Sequence, residues 1–338
     1  MKQAKLWIAA ATLAIVSGAL SGAAWAEEAT LIFGTGQNPD QPAAKEIYAP
    51  WTAAVNAAGK GVVQIDERDG RVVLNTANFY DQTSNDVVQI GFGSLDYLVG
   101  KFPLSSVADL PVDTTSEVAS VAYWRLYKSG LIDSDFDDTV PLYVLVYPPT
   151  LIHLRKPLPN PDNLKGLKIA PTSKLIAYEV QLLGADPVSM TYQETYSALQ
   201  RGTIDGITFP MAGIYSQNFS DLVFTHLEVG LGSSVSMVFM MKKRFDALSP
   251  QARDVLLKAS GEAMSRKQGV LFDRLTSEGV AKYSSDPKHK IVNLSPAMQA
   301  KWSKDAAAIE ADWIKQSPGR DKVLAKFKEL LAQAKAGN

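Results

Sequence analysis

Asp162-Asn163-Leu164-Lys165-Gly166-Leu167-Lys168-Ile169-Ala170 opens the stretch whose reading decides the fold. Past an apolar-periodic run it continues as Leu183-Gly184-Ala185-Asp186-Pro187-Val188. It closes as Tyr192-Gln193-Glu194-Thr195-Tyr196-Ser197-Ala198-Leu199-Gln200-Arg201-Gly202-Thr203-Ile204-Asp205-Gly206. Leu167 to Ala170 reads as a strand, and Thr172 or Ser173 supplies the hydroxyl that caps a helix running to Leu183. Gly184 then takes the C′ position, where a left-handed backbone costs glycine little. Thr191 and Glu194 have capping-box spacing, so a second helix starts at Tyr192 and stops at Gly202. Ile204 to Phe209 returns as a strand.

Outward from this unit the pattern repeats. Ala29 to Phe33 is a first strand, followed by the polar loop Gly34-Thr35-Gly36-Gln37-Asn38-Pro39 and a helix from about Ala43 to Ala58. Val62 to Ile65, Gln89 to Phe92, Leu142 to Tyr147 and Ser233 to Met241 read as further strands. Ser249-Pro250 opens a long helix with serine as cap and proline at N1, and Ser295-Pro296 repeats that opening for helices reaching Trp313. Short β-rich runs alternating with helices predict an α/β architecture with largely parallel sheets. No internal repeat and no low-complexity linker divides the chain. Two domains without a linker imply strands that cross between them, as in a hinged clamshell.

Lys2 and Lys5, the apolar run Leu6 to Val16 and the small-x-small triplet Ala24-Trp25-Ala26 form a secretory signal, residues 1–26, with cleavage expected after Ala26. The mature chain is expected to start near Glu27 and to be exported from the cytoplasm. No later run approaches the roughly 18 consecutive apolar residues of a spanning helix. There is no cysteine among the 338 residues, so stability must come from core burial. The formal net charge of −1 argues against a polyanion partner, and Lys242-Lys243-Arg244 is too short and isolated for a nucleic-acid footprint.

Catalytic constellations are missing. His153, His226 and His289 lie far apart in sequence without ligand partners at metal-binding spacing, and His153 between apolar neighbours reads as a structural histidine. Gly34-x-Gly36 begins a dinucleotide fingerprint, yet Pro39 occupies the place of its third glycine. Gly91 and Gly93 make only a weak phosphate signal. No metal, no cofactor and no enzyme activity are expected.

The 162–206 stretch resembles the solute-binding subunits of tripartite ATP-independent periplasmic (TRAP) transporters. Lys156-Pro157-Leu158, Phe102-Pro103-Leu104, Asp109-Leu110-Pro111 and the run Met240-Met241-Lys242 to Leu248-Ser249-Pro250-Gln251 extend the resemblance over nearly the whole mature chain. It implies an α/β, two-lobed periplasmic binding protein clamshell with crossing strands and a long C-terminal helix. Lobe I would take residues 27–147 and 231–270, and lobe II residues 148–230 and 271–338. The resemblance also implies a small-molecule ligand, closure by hinge motion and delivery to a small and a large integral membrane subunit, without chemistry.

Carried over residue by residue, the family's pocket falls on Thr35, Gly36, Gln37 and Asn38, on Gly93, Ser94 and Tyr97, and on Thr150. From the second lobe it falls on Ala170, Thr172, Ser173, Tyr192, Phe209 and Met211. Ala170 stands where the family usually has an arginine that clamps a substrate carboxylate, and Phe209 where an asparagine is frequent. A closed cleft without the planar two-pronged guanidinium loses roughly 3–5 kcal/mol of carboxylate binding, by analogy with a broken buried pair. Three accounts follow. The solute is an organic acid of apolar or aromatic character packing on Phe209, Tyr192 and Met211; another arginine, Arg155 or Arg125, reaches in; or the helix opening at Ser173 receives an anion through its N–H groups. The alternatives in function are a receptor serving an ABC importer or a sensor, and a carrier of a larger apolar ligand.

Overall fold

The computed structural model describes residues 28–70, 73–190, 192–217 and 219–337, with the side chains of Tyr192 and Gln193 outside the description. The expected signal segment and the Thr191 half of the capping box also lie outside it. In the first half, β1 (Ala29–Gly34) leads through a π-helical turn (Ala44–Tyr48) into α1 (Ala49–Ala58). Then come β2 (Val63–Arg68), α2 (Phe79–Ser84), β3 (Ile90–Ser94), α3 (Ser116–Lys128) and β4 (Thr139–Val146). The middle holds β5 (Thr150–Leu154), β6 (Lys168–Ala170), α4 (Lys174–Leu182), β7 (Asp186–Pro187) and α5 (Tyr192–Arg201). It continues with β8 (Gly206–Phe209), α6 (Met211–Ser216) and β9 (Thr225–Leu231). The remainder is β10 (Val235–Met241), α7 (Lys242–Asp246), α8 (Pro250–Lys258), α9 (Glu262–Ser285), β11 (Lys290–Asn293), α10 (Pro296–Lys315) and α11 (Arg320–Lys335).

Local punctuation behaves as its chemistry dictates. Ser173 Oγ accepts from Ile176 N at 3.2 Å, so Ser173 rather than Thr172 is the cap of α4. Gly184 ends that helix at φ +93°. Ser249 and Ser295 cap α8 and α10, each with proline next in the first turn. The long helix expected from Ser249 is broken, because Gly261 at φ +76° separates α8 from α9.

The strands form two sheets, in the orders β2-β1-β3-β10-β4 and β11-β9-β5-β8-β6-β7. Both are mixed rather than largely parallel. β1 pairs parallel with β2 and β3, but β10 runs antiparallel to β3 and β4. β5 likewise runs antiparallel to β8 and β9. The antiparallel strands are those next to the crossings: β4 leaves the first sheet and becomes β5 of the second, and β9 returns as β10. β4 leaves the first lobe where β10 enters it, and β5 enters the second lobe where β9 leaves, so each of these neighbouring pairs runs in opposite directions. Pro141 sits in β4 at the sheet edge, beside a register shift against β10, where a missing N–H is tolerated.

Three buried clusters fill the layers. One packs α1, α8 and α9 on the first sheet, with Phe33 and Tyr143 edge-on to Trp51 at 5.4 and 5.3 Å. A second runs through both lobes on the opposite side, and a third packs α5 and α6 on the second sheet. Strut-like, α9 touches α3 in one lobe and α6 in the other. Its Asp273 also accepts from the first amides of α3, Ser116 N at 2.8 Å and Glu117 N at 2.9 Å. Expected with the second lobe, α11 instead packs on α3 of the first. Its apolar stripe, Val323, Leu324, Phe327, Leu330 and Leu331, is buried there. No helix among the described residues is long and apolar enough to cross a membrane.

Candidate functional site

The two crossings, residues 147–149 and 232–234, run side by side. Tyr147 N donates to Ser234 O at 2.9 Å and Thr150 N to Gly232 O at 3.1 Å. Above them lies a cleft of about 1340 Å³, counted out to its solvent mouth, lined from both lobes and from α9. The first lobe supplies Thr35, Gly36 and Gln37 after β1, the loop Leu74–Thr76, and Phe92, Gly93 and Ser94 at the end of β3, with Asp96 and Tyr97 beyond. The second lobe supplies Thr172, Phe209 and Pro210, with Gly213, Ser216 and Gln217 from α6. Tyr147, Ser234 and Ser236 form the hinge end, and Phe272 and Leu275 of α9 face the cleft.

Of the residues expected at the pocket, Thr35, Gly36, Gln37, Gly93, Ser94, Tyr97, Thr172 and Phe209 line this cleft. Asn38, Thr150, Ala170, Ser173 and Met211 do not. Asn38 is exposed and closes a turn, its Oδ1 accepting from Asp40 N at 2.9 Å. Thr150 is buried in the hinge ladder. Ala170 belongs to the third cluster at 4% exposure, one pleat deeper than Thr172, so its methyl ends short of the cleft. Ser173 Oγ is engaged as a helix cap, and Met211 is buried against Gly279 of α9. The Tyr192 side chain lies outside the described residues.

Neither candidate replacement for a clamping arginine lines the cleft. Arg125 joins α3 to α9 through Glu262 at 2.8 Å, and Arg155 covers Gly202. Gly91 and Gly93 are explained by packing: a Cβ on Gly93 would sit 2.2 Å from the Phe79 ring, and one on Gly91 2.3 Å from Thr83 Oγ1. Residues that sequence reasoning missed include aromatic, acidic and amide side chains, Gln41, Asn75 and Gln217 among the last. Tyr48 sits in the π-helical turn, an element frequent at functional sites. Phe92 and Tyr147 read only as strand ends, and neither Phe272 nor Asp96 carries a signal of its own in the sequence.

The three histidines, distant in sequence, form one chain, His153 and His226 buried and His289 half-buried. His153 Nδ1 lies 2.7 Å from His226 Nδ1, and His226 Nε2 lies 3.0 Å from His289 Nδ1. His153 Nε2 is 2.9 Å from the carbonyl of Phe209. A carbonyl only accepts, so His153 carries its proton on Nε2; His226 must then donate from Nδ1, and His289 from its own Nδ1. Every ring is neutral in this arrangement, and the row braces the main chain of a cleft residue. The N···N spacings are hydrogen bonds with no room for an ion. Among the described residues no group of three His, Cys, Asp or Glu side chains could hold a metal.

Burial pushes the His153 pKa down to about 4. Burial and the neighbouring rings push that of His226 down to about 2. A histidine depressed in the folded state contributes stability present above its unfolded value near 6.5 and lost as pH falls toward the folded value. For His153 that loss is about 3 kcal/mol between pH 6.5 and 4. Imidazole resonances in NMR are therefore expected to show His153 and His226 still neutral at pH 5. Either ring titrating near 6.5 would contradict the assignment.

A second buried group lies behind the hinge. Glu179 of α4 is fully buried, and its Oε2 accepts from Gly232 N at 2.9 Å while Oε1 has no hydrogen-bond partner. Desolvation raises its pKa to about 8. Asp109 is pushed up by burial and by the charges of Asp96 and Glu179, and Asp96 chiefly by burial. Glu179, behind the hinge end of the cleft, therefore keeps its proton at neutral pH.

Two lobes on crossing strands, with a strut helix and a cleft between them, form the frame of a hinged binder. The chain belongs to the bacterial extracellular solute-binding proteins of family 7, whose model matches residues 33–316. It is a receptor of the TRAP type, a family of solute binders rather than of enzymes. Over 313 residues, 88% of this chain and 92% of the other, it is 25% identical to the protein named outer membrane transporter protein TsaT of Comamonas testosteroni. It is similar in structure to a TRAP solute-binding protein of Rhodoferax ferrireducens T118 in complex with copurified benzoate. That match has TM-score 0.82 and 25% identity, covering 91% of this chain and 98% of that one. It shares its fold with a marine metagenome TRAP protein specific for aromatic acid ligands, at TM-score 0.83 and 24% identity over 91% of this chain and 99% of that one.

Proposed function

We propose that the cleft captures a small organic acid with an apolar or aromatic body and presents it to the two TRAP membrane subunits. The observation that carries this reading is the apposition of aromatic side chains from both lobes, Tyr48 and Phe92 on one side and Phe209 on the other, with Phe272 between. A ring held between such faces withdraws roughly 100 Å² of apolar surface, about 2.5 kcal/mol of driving force for closure. That energy is gained only when both lobes touch the ligand, which is what favours the closed state. Hydroxyl and amide groups of Gln37, Thr172 and Gln217 supply polar contacts in place of a guanidinium at position 170. The benzoate carried by the Rhodoferax protein supports this ligand class. Cleavage after Ala26 would release the mature receptor into the periplasm.

A thermal-shift panel of aromatic acids, C4-dicarboxylates, sugar acids and neutral metabolites tests the reading. A ligand present at a thousand times its Kd adds about 4 kcal/mol to stability, roughly 6 °C for a chain of this size. Aromatic monocarboxylates are expected to give the largest shift. A stronger response to C4-dicarboxylates would refute the proposal.

A further inference from the structure

We propose that Asp96 determines specificity: the cleft prefers acids whose end opposite the carboxylate carries a hydrogen-bond donor, a ring hydroxyl or amino group. This inference rests on the organic-acid reading above. Asp96 is the one formally charged side chain among the described residues that line the cleft. It follows β3 and hydrogen-bonds with the hydroxyls of Ser234, on the crossing, and Ser94. Ser94 Oγ also lies 3.2 Å from Val235 O, so its one proton serves either acceptor. The two hydroxyls therefore supply at most two donors to a carboxylate that accepts about four hydrogen bonds, and acceptor capacity remains on this cleft-lining side chain.

Charge then orients the solute. Asp96 itself places a negative charge at the hinge end, which repels a carboxylate. At the other end, beyond β1 and β2, lie the side-chain amides of Gln37, Gln41 and Asn75. Asn75 Oδ1 already accepts from Ala77 N and Asn78 N, at 2.9 and 3.2 Å, which leaves its NH₂ as the group to offer. Between the two ends the lining is aromatic. A ring spanning this cleft meets donors at one end and an acceptor at the other, and its substituents must match.

Calorimetric titration of the purified protein and of Asp96→Ala with benzoate, 3-hydroxybenzoate, 4-hydroxybenzoate and 4-aminobenzoate at pH 7.5 tests this. The wild type is expected to prefer at least one donor-bearing acid over benzoate by about tenfold or more, the worth of one hydrogen bond to a charged group. The position and nature of the preferred substituent separate hydroxyl from amine recognition. In Asp96→Ala the preference should fall below about threefold while benzoate binds as well or better, because a repelling charge is gone. Asp96→Asn, which keeps one acceptor oxygen, should retain part of the preference and confirm that the fold is intact. Equal preference in wild type and Asp96→Ala, or equal weakening of all four acids, overturns the role of Asp96. Binding without discrimination by the wild type overturns it alone, whereas no binding of any acid overturns the ligand class as well.

Discussion

Replacing Gly232 with alanine is expected to destabilise the protein by about 3 kcal/mol or more, a fall of roughly 5 °C in Tm. The added Cβ would lie 1.7 Å from the carbonyl oxygen of Asp109 and 2.8 Å from its carbon. Both are backbone atoms, so no rotamer change relieves the overlap. Gly232 cannot move away either, since its N–H is held by Glu179 and its C=O by Thr150 N. Gly230 is the control. It has φ +63° and nothing within 4 Å of the place an added methyl would take, so Gly230→Ala is expected to cost only about 1 kcal/mol of backbone strain. Thermal or urea unfolding of the two variants separates steric exclusion at the crossing from a general intolerance of substitution. Similar losses at both positions would count against a crossing wedged against the Asp109 main chain.

Glu179→Gln is expected to raise stability at alkaline pH. The folded pKa of about 8 lies above the unfolded value of 4.5. Stability linked to this group is therefore fully present below pH 4.5 and lost as pH rises through 8, to a limit of about 4–5 kcal/mol. Glutamine keeps a carbonyl acceptor for Gly232 N but cannot ionise, so the variant should gain several kcal/mol over wild type at pH 8.5 and little at pH 5. Urea midpoints across that range check the sign. Parallel profiles for the two proteins would show that Glu179 ionises without penalty. The comparison must be between variants, because the buried histidines pull the wild-type profile the opposite way in acid.

The region from Asp162 to Gly206 was legible because its signals are local. Ser173, Gly184 and Gly202 each act on amides or carbonyls within one turn of themselves, and the chain obeys them. Strand pairing direction was not legible, since the order β3-β10-β4 joins residues that are 141 positions apart at Ser94 and Val235. The histidine chain shows the same limit. Its members are separated by 73 and 63 residues, and no spacing rule anticipates that β5, β9 and the loop before β11 place them in line. The pocket was half legible. Loop positions such as Gln37 and Ser94 follow strands and point to the cleft edge by necessity. Tyr48, Phe272 and Leu275 come from helices whose apolar residues serve core and cleft alike, so hydrophobic spacing cannot tell the two apart. Ala170 lies buried in the third cluster at the end of β6, two residues before Thr172, which lines the cleft.

The crossing topology also governs the order in which the molecule can assemble. β10 lies between β3 and β4, so the first sheet stays split until residue 241 is available, and α3 lacks its cover until α11 arrives at residues 320–335. The second sheet waits in turn for β11 at its edge. A chain emerging from its amino end therefore holds no finished half until almost all of it is out. Such a polypeptide stays threadable through a narrow pore for most of its length and commits to its native form late.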